Sequence, residues 1–587
     1  MKRLKKAGAL VLALLMTFVF AIPAMAAEGA TYSITIRNEN AGHTYQAYQI
    51  FKGDYSQKEV DGPEDEKTTV EVLANIEWGD NIANTTGLIQ ALIASNIEAF
   101  KNLNATTSTA ADVAKALDTA NDAAAFADIV EPFLTGTPQV NAPYDTISKT
   151  YTISDLAAGY YLVKDQDDSL QGDKDEAYTD YIVQVLGNTT MAPKSEVPSV
   201  EKKVYEQDLS DDNTGYGPGY NDVADWDIGD SIPFKLIGTV PDMSAYNTYT
   251  YVFHDTLSAG LTVRNDQEKG ITVYVANDRN VASDRMIPVN PDSYQAQING
   301  QNLTITFDNL KTAMTAPDAD KGQEGPPKPV SDYAYILVNY DAYLDSDAVI
   351  GLDGNPNEVY LEYSNNPNGA GTGTTTTDKV IVFTYELDGT KVDGANNTTK
   401  LENAQFVLLN PGKQVAVVDA EGTLVGWVSL PEEKTLETMT YADWTTFNEA
   451  QEEGNHIILT SDAEGFFKVS GLEDGTYSLR EIQAPTGYNL LEKDVQVVIT
   501  ATTANGQKWN GEANTALTGL TVTVDNGAVQ NGDTTTGIVN VTVANNQGST
   551  LPETGGMGTT VFYVVGGVLV AGVLVLLVAK RRMGRAE

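Results

Sequence analysis

The 587-residue chain has no cysteine and only three histidines, His43, His254 and His456. Without thiols there are no disulfides, thiolate metal sites or cysteine nucleophiles, so any covalent brace has to come from other side chains. The histidines are too scattered for a metal-binding spacing, and HExxH, GxSxG and phosphate-loop patterns are missing. No metal or cofactor is therefore expected. Positive charge is scarce as well: 37 Lys+Arg stand against 80 Asp+Glu, a net charge of −43 that argues against a nucleic-acid partner. Carboxylate pairs are so common here that motif alone leaves a glycan hydrolase open. Length predicts about three or four domains.

Both ends read as processing signals. Residues 1–26 combine a basic start (Lys2, Arg3, Lys5, Lys6), an apolar run from Ala7 to Ile22 and Ala24-Met25-Ala26, a signal peptide whose removal leaves Ala27 first. At the other end, Leu551-Pro552-Glu553-Thr554-Gly555 precedes an apolar transmembrane segment, 561–579, and a basic cytoplasmic tail, 580–587. This order resembles the LPxTG sorting signal of Gram-positive cell-wall proteins. The resemblance implies secretion, sortase cleavage between Thr554 and Gly555, and transfer of the threonyl acyl group to an amine. Loss of the four leader cations and the net three positive charges after Thr554 takes the mature chain from −43 to −50, a soluble, self-repelling surface.

The remainder reads as mainly β. Residues 27–191 begin with alternation at Tyr32, Ile34 and Ile36, and resume strands at Gly159–Val163 and Tyr181–Val185. Between them Ile89, Ile93, Ile97 and Phe100, then Val113, Leu117, Phe126, Ile129, Val130 and Phe133, follow helical spacing, predicting a helical insert. A linker, 192–198, leads to a strand-rich segment, 199–371, and an Asn/Gly/Thr-rich stretch separates that from a third, 378–546. Short strands divided by turn residues predict tandem immunoglobulin-like β-sandwiches.

The last segment carries Thr390-Lys391-Val392-Asp393, Leu401-Glu402-Asn403-Ala404-Gln405-Phe406 and the run from Gly475 to Tyr488, which fits YxLxExxAPxGY at every fixed position. It resembles the Cna B-type domains of Gram-positive surface proteins. The resemblance implies a spontaneous amide bond between Lys391 and Asn545, with Asn546 as the alternative, promoted by the acid Glu481. Burial makes such chemistry reasonable: it favours the neutral, nucleophilic amine and the neutral carboxylic acid, and folding supplies the effective concentration.

The middle segment carries Val200-Glu201-Lys202-Lys203-Val204, Gly229-Asp230-Ser231-Ile232-Pro233-Phe234, the run His254–Leu261 and the run Asn357–Pro367. It resembles the fimbrial isopeptide-forming domain of backbone pilins, which implies Lys202 as amine, Asp255 as acid and Asn365 as amide, with Asn357 and Asn366 as alternatives. Strand alternation puts Lys203 on the face opposite Lys202, so that one of the two is inside. His254 reads as a strand-end residue rather than a base.

Ala192-Pro193-Lys194-Ser195, in the linker, resembles the pilin motif without its aromatic residue. The resemblance implies that Lys194 accepts the Thr554 acyl group of the next subunit, giving a covalent head-to-tail pilus backbone that is a sortase substrate and not an enzyme. The implied partners are pilus-class and housekeeping sortases, copies of the same chain, accessory pilins and peptidoglycan. A singly wall-anchored adhesin, with a host ligand the sequence does not name, is the competing reading. The acidic stretches Asp165–Glu176 and Asp208–Asn213 read as solvated loops; Leu170 stands where a calcium loop needs glycine.

Overall fold

Alternation of apolar and polar residues drives the first sheet pair. Tyr32–Arg37 buries Ile34 and Ile36, and pairs antiparallel with Thr150–Leu156 and parallel with Thr189–Met191. Facing it, Tyr45–Asp61 lies between Lys67–Trp78 and Gly159–Asp165, with Asp180–Val185 beyond. A bulge between Gln49 and Phe51 breaks the alternation, and both Ile50 and Phe51 are buried. Tyr45 and Ala47 face the sheet-on-sheet core, whereas Ile50 and Phe51 meet Leu88, Leu92, Phe100, Val113, Phe126 and Val130 of the helical insert. That insert comprises Thr85–Ala94, Ala110–Ala120 and Ala123–Val130, the first capped by Asn84, whose side chain accepts a hydrogen bond from Gly87 N.

This computed structural model describes residues 30–583 except 39, 62–66, 96, 121–122, 167–168, 171–173, 193–196, 209–214, 265–269, 282–284, 318–325, 368–370, 505–506, 508, 510 and 549–557. The signal peptide, Lys194, Leu551, Pro552, Glu553, Thr554 and Gly555 lie outside the described residues, as do parts of the two acidic stretches.

The next segment forms two seven-stranded sheets face to face. In one, Val200–Tyr205 pairs with Ile232–Thr239, which pairs with Tyr335–Leu344. In the other, Tyr251–Leu257 lies between Asn302–Phe307 and Asn355–Ser364. Asp378–Phe383, which the sequence assigns to the last domain, pairs antiparallel with Asn355–Ser364. The boundary therefore shifts to Thr384: the Asn/Gly/Thr-rich stretch read as the boundary includes a short strand, Thr372–Thr374, hydrogen-bonded to that same sheet.

The last sandwich packs a three-stranded sheet on an eight-stranded one. Its central strand, Tyr385–Asp393, lies between Phe466–Leu472 and Ile538–Asn545. Gly389 is needed there, because a Cβ would come within 2.1 Å of the Phe467 ring. Phe467 in turn stacks on Phe406 at 4.7 Å, the aromatic wall beside Lys391. Beyond it, Gly558–Met583 is a helix whose apolar span, Phe562–Arg581, is long enough to cross a bilayer.

Candidate functional site

Two buried clusters unite a lysine, an acid and an asparagine. In the last sandwich the strands bearing Lys391 and Asn545 run parallel as neighbours, with Lys391 opposite Val543 and Asp393 opposite Asn545. Lys391 and Asn545 thus share the inward face two residues apart, about 7 Å of strand that a lysine side chain spans. Lys391 Nζ hydrogen-bonds Asn545 Oδ1 and lies 2.9 Å from Glu481 Oε1. Asn545 Nδ2 donates to both Glu481 oxygens at 2.9 Å and to the Asn489 carbonyl at 3.0 Å. Glu481 Oε2 also accepts from Leu491 N at 2.9 Å, which fixes the carboxylate. Lys391 and Asn545 are fully buried, and the Phe406 ring lies 5.1 Å from Nζ. Burial pulls the Lys391 amine below its ordinary range, with the Glu481 charge opposing.

In the middle sandwich Lys202 sits inward between Leu236 and the aromatic pair Phe234 and Tyr340, whose rings stack at 5.4 Å. Its Nζ lies 2.5 Å from Asp255 Oδ1 and 3.0 Å from the Tyr340 hydroxyl. That hydroxyl donates to Asp255 Oδ2 at 2.7 Å and accepts from Asn357 Nδ2 at 2.8 Å. Lys202, Asp255 and Asn357 are all buried, and Asn357 Oδ1 has no hydrogen-bond partner among the described residues. Burial brings the Lys202 amine down to about 8 against the pull of Asp255, and pushes the Asp255 carboxyl up against the pull of Lys202. Both shifts favour a neutral amine beside a neutral acid.

The amide in this cluster is Asn357, not Asn365. Asp255 pairs with Val359, so Asn357 is one alternation away on the same face, whereas Asn365 lies six residues beyond Val359, about 20 Å along the strand direction. Asn365 instead meets the first segment, its carbonyl accepting from Tyr178 N at 2.7 Å. His254 lies within its strand, half-exposed, 2.9 Å from Glu362 and stacked on Tyr360, away from the cluster.

Sequence reasoning also missed two features. Lys203 is buried like Lys202, because Tyr216 and Asp222 cover the outer sheet face and the Asp222 carboxylate takes its ammonium. Next to it, Lys235 is buried with Nζ 2.8 Å from the Tyr216 carbonyl. In the first segment His43 lies between Asp165 at 2.8 Å and Glu176 at 2.9 Å, all three buried, so the ends of that acidic stretch are not solvated. Burial alone would lower the His43 pKa, but hydrogen bonds and charges from Asp165 and Glu176 raise it to about 9. Glu176 is also tied to the middle sandwich, its carbonyl accepting from the Tyr363 hydroxyl at 3.0 Å. No motif joins these residues; 122 positions separate His43 from Asp165.

Comparison with known proteins follows the same division. Residues 385–513 match the prealbumin-like fold domain called SpaA, and residues 544–583 match the LPXTG cell wall anchor motif. The trypsin-resistant surface T6 protein of Streptococcus pyogenes serotype M6 is 22% identical over 356 residues, 57% of this chain and 51% of that protein, so the chain spans about half the length of this curated relative. Among solved structures, the three-domain T6 backbone pilin of serotype M6 Streptococcus pyogenes is 16% identical, with 89% of this chain and 100% of that one covered and a TM-score of 0.47. The full-length major pilin SpaD of Corynebacterium diphtheriae is 13% identical, covering 89% and 99% at a TM-score of 0.44. The anchor motif and the apolar helix mark a secreted protein fixed to the wall of a Gram-positive bacterium. The SpaA match and the curated surface protein agree with that location.

Proposed function

We propose that the chain is the structural backbone subunit of a covalent pilus, joined head to tail when a sortase transfers the Thr554 acyl group to Lys194 of the next subunit, and stiffened by Lys202–Asn357 and Lys391–Asn545 isopeptide bonds. What carries the reading is that two fully buried lysines each touch both a buried acid and, directly or through one hydroxyl, a buried asparagine amide. A buried ion pair needs no asparagine; a transamidation does.

The reaction is single-turnover. Burial favours loss of a proton from the ammonium to the neighbouring acid, the neutral amine attacks the asparagine Cγ, and ammonia leaves with a proton routed through the acid. Strands fixed side by side supply the effective concentration that replaces an enzyme. In a chain without cysteine, such bonds brace an extracellular shaft as disulfides otherwise do. The partners are then sortases, further copies of the chain, accessory pilins and, at the base, peptidoglycan. A subunit with one acceptor and one donor end makes a heterologous contact that does not close, and so a filament.

Intact mass spectrometry of the denatured mature chain tests the bonds. The reading expects a mass lower than the sequence mass by two molecules of ammonia; the full sequence mass would overturn both assignments.

A further inference from the structure

The two clusters differ in how acid meets amide. Glu481 reaches both the Lys391 amine and the Asn545 Nδ2 nitrogen at 2.9 Å and so connects nucleophile and leaving group by itself. Asp255 is one methylene shorter; it holds Lys202 Nζ at 2.5 Å, and the contact to Asn357 Nδ2 is made instead by the Tyr340 hydroxyl at 2.8 Å. That hydroxyl is at the same time 3.0 Å from Nζ and 2.7 Å from Asp255 Oδ2, so one oxygen touches all three reacting groups. Its strand neighbour across the sheet, Phe234, stacks on the ring and holds it in place.

We propose that Tyr340 is a catalytic proton relay for Lys202–Asn357 bond formation, an inference that rests on the isopeptide reading above. Asp255 takes the first Nζ proton and leaves a neutral amine. The Nζ–Cγ bond forms, a second Nζ proton passes to the Tyr340 oxygen, and the phenolic proton passes to Nδ2 as the hydroxyl turns toward it. The Cγ–Nδ2 bond then breaks and ammonia departs. Nζ keeps one proton as the amide N–H, Asp255 retains the proton it took, and the phenol is restored. Burial, aided by the Asp255 charge, pushes the Tyr340 hydroxyl well above its usual range, so it enters the reaction protonated and able to donate. Asp255 and Tyr340 thus share the work that Glu481 does alone.

The test is Tyr340→Phe in the full mature chain, which keeps the ring and its stacking and removes only the hydroxyl. Intact mass and mapping of cross-linked peptides are read at isolation and over time, with the Lys391–Asn545 bond of the same molecule as internal control. The expected variant carries the C-terminal bond in full and forms the middle one at least about tenfold more slowly than wild type. Both bonds complete at isolation in Tyr340→Phe would overturn the relay while leaving the isopeptide reading intact. A wild-type chain lacking the middle bond would overturn that reading and the relay with it. Should Tyr340→Phe lose protease resistance in residues 199–383, 3,5-difluorotyrosine at 340 decides: a bond-forming rate that shifts with the more acidic phenol supports the relay, and an unchanged rate overturns it.

Discussion

Lys391 and Asn545 lie on the first and last strands of the C-terminal sandwich, and those strands run parallel as direct neighbours. Tension entering at Tyr385 and leaving after Asn545 therefore shears that strand pair, and a bond between the two side chains diverts the load from the residues between them. In single-molecule pulling, the wild-type segment is expected to show no unfolding step from residues 392–544. Asn545→Ala should release roughly 500 Å of contour length, the extended span of those residues. The same long step in wild type would contradict the bond.

The amide assignments separate cleanly by substitution. Asn357→Ala and Lys202→Ala should each remove one ammonia loss from the intact mass, whereas Asn365→Ala should leave both. Asp255→Ala should block the middle bond alone and Glu481→Ala the C-terminal bond alone, since no residue is shared between the clusters.

Stability follows from loop closure. Each proposed bond would close a loop of about 155 residues, worth about 5 kcal/mol on the chain-entropy account developed for disulfides. For segments of this size that corresponds to a fall of roughly 10–20 °C in Tm when one bond is prevented. Scanning calorimetry of Asn545→Ala and Asn357→Ala against wild type measures it. Unchanged melting of the affected segment would show that the cross-link bears no thermodynamic load.

The sequence made the strands, helices and C-terminal cluster legible because each rests on short-range pattern: alternation at Tyr32, Ile34 and Ile36, 3.6-residue spacing at Ile89 and Ile93, and a run of fixed positions ending at Tyr488. The middle amide was harder. Asn357, Asn365 and Asn366 all sit in or just after one strand, and only the pairing of Asp255 with Val359 selects among them. Burial of Lys203 depends on a loop folding over the sheet, and the His43, Asp165 and Glu176 contact on three separated pieces of chain. Neither leaves a local periodicity to read.

The His43 contact makes the first segment sensitive to pH. Its folded pKa, about 9, exceeds the ordinary value of 6.5, so the contribution is complete below about pH 6.5 and is lost as pH rises through 9. Carboxyls between the last two sandwiches act in the same direction, since burial raises Glu206 to about 7 and Asp474 to about 6, and the folded state holds protons that the unfolded state has released. Urea unfolding from pH 6 to 9.5, followed by proteolysis of the first segment, should show declining stability, with the decline above pH 7 flattened in His43→Gln. A steady rise over that range would contradict both assignments.

Covalent polymerisation is decided by an immunoblot of wall extracts boiled in SDS, from cells expressing wild type or Lys194→Ala. Wild type is expected to give a ladder of high-mass species that collapses to monomer in the variant. A single monomer band in both, despite wall attachment, would contradict the pilus and favour an anchored adhesin; a ladder in both would contradict the role of Lys194 and move the acceptor to another lysine.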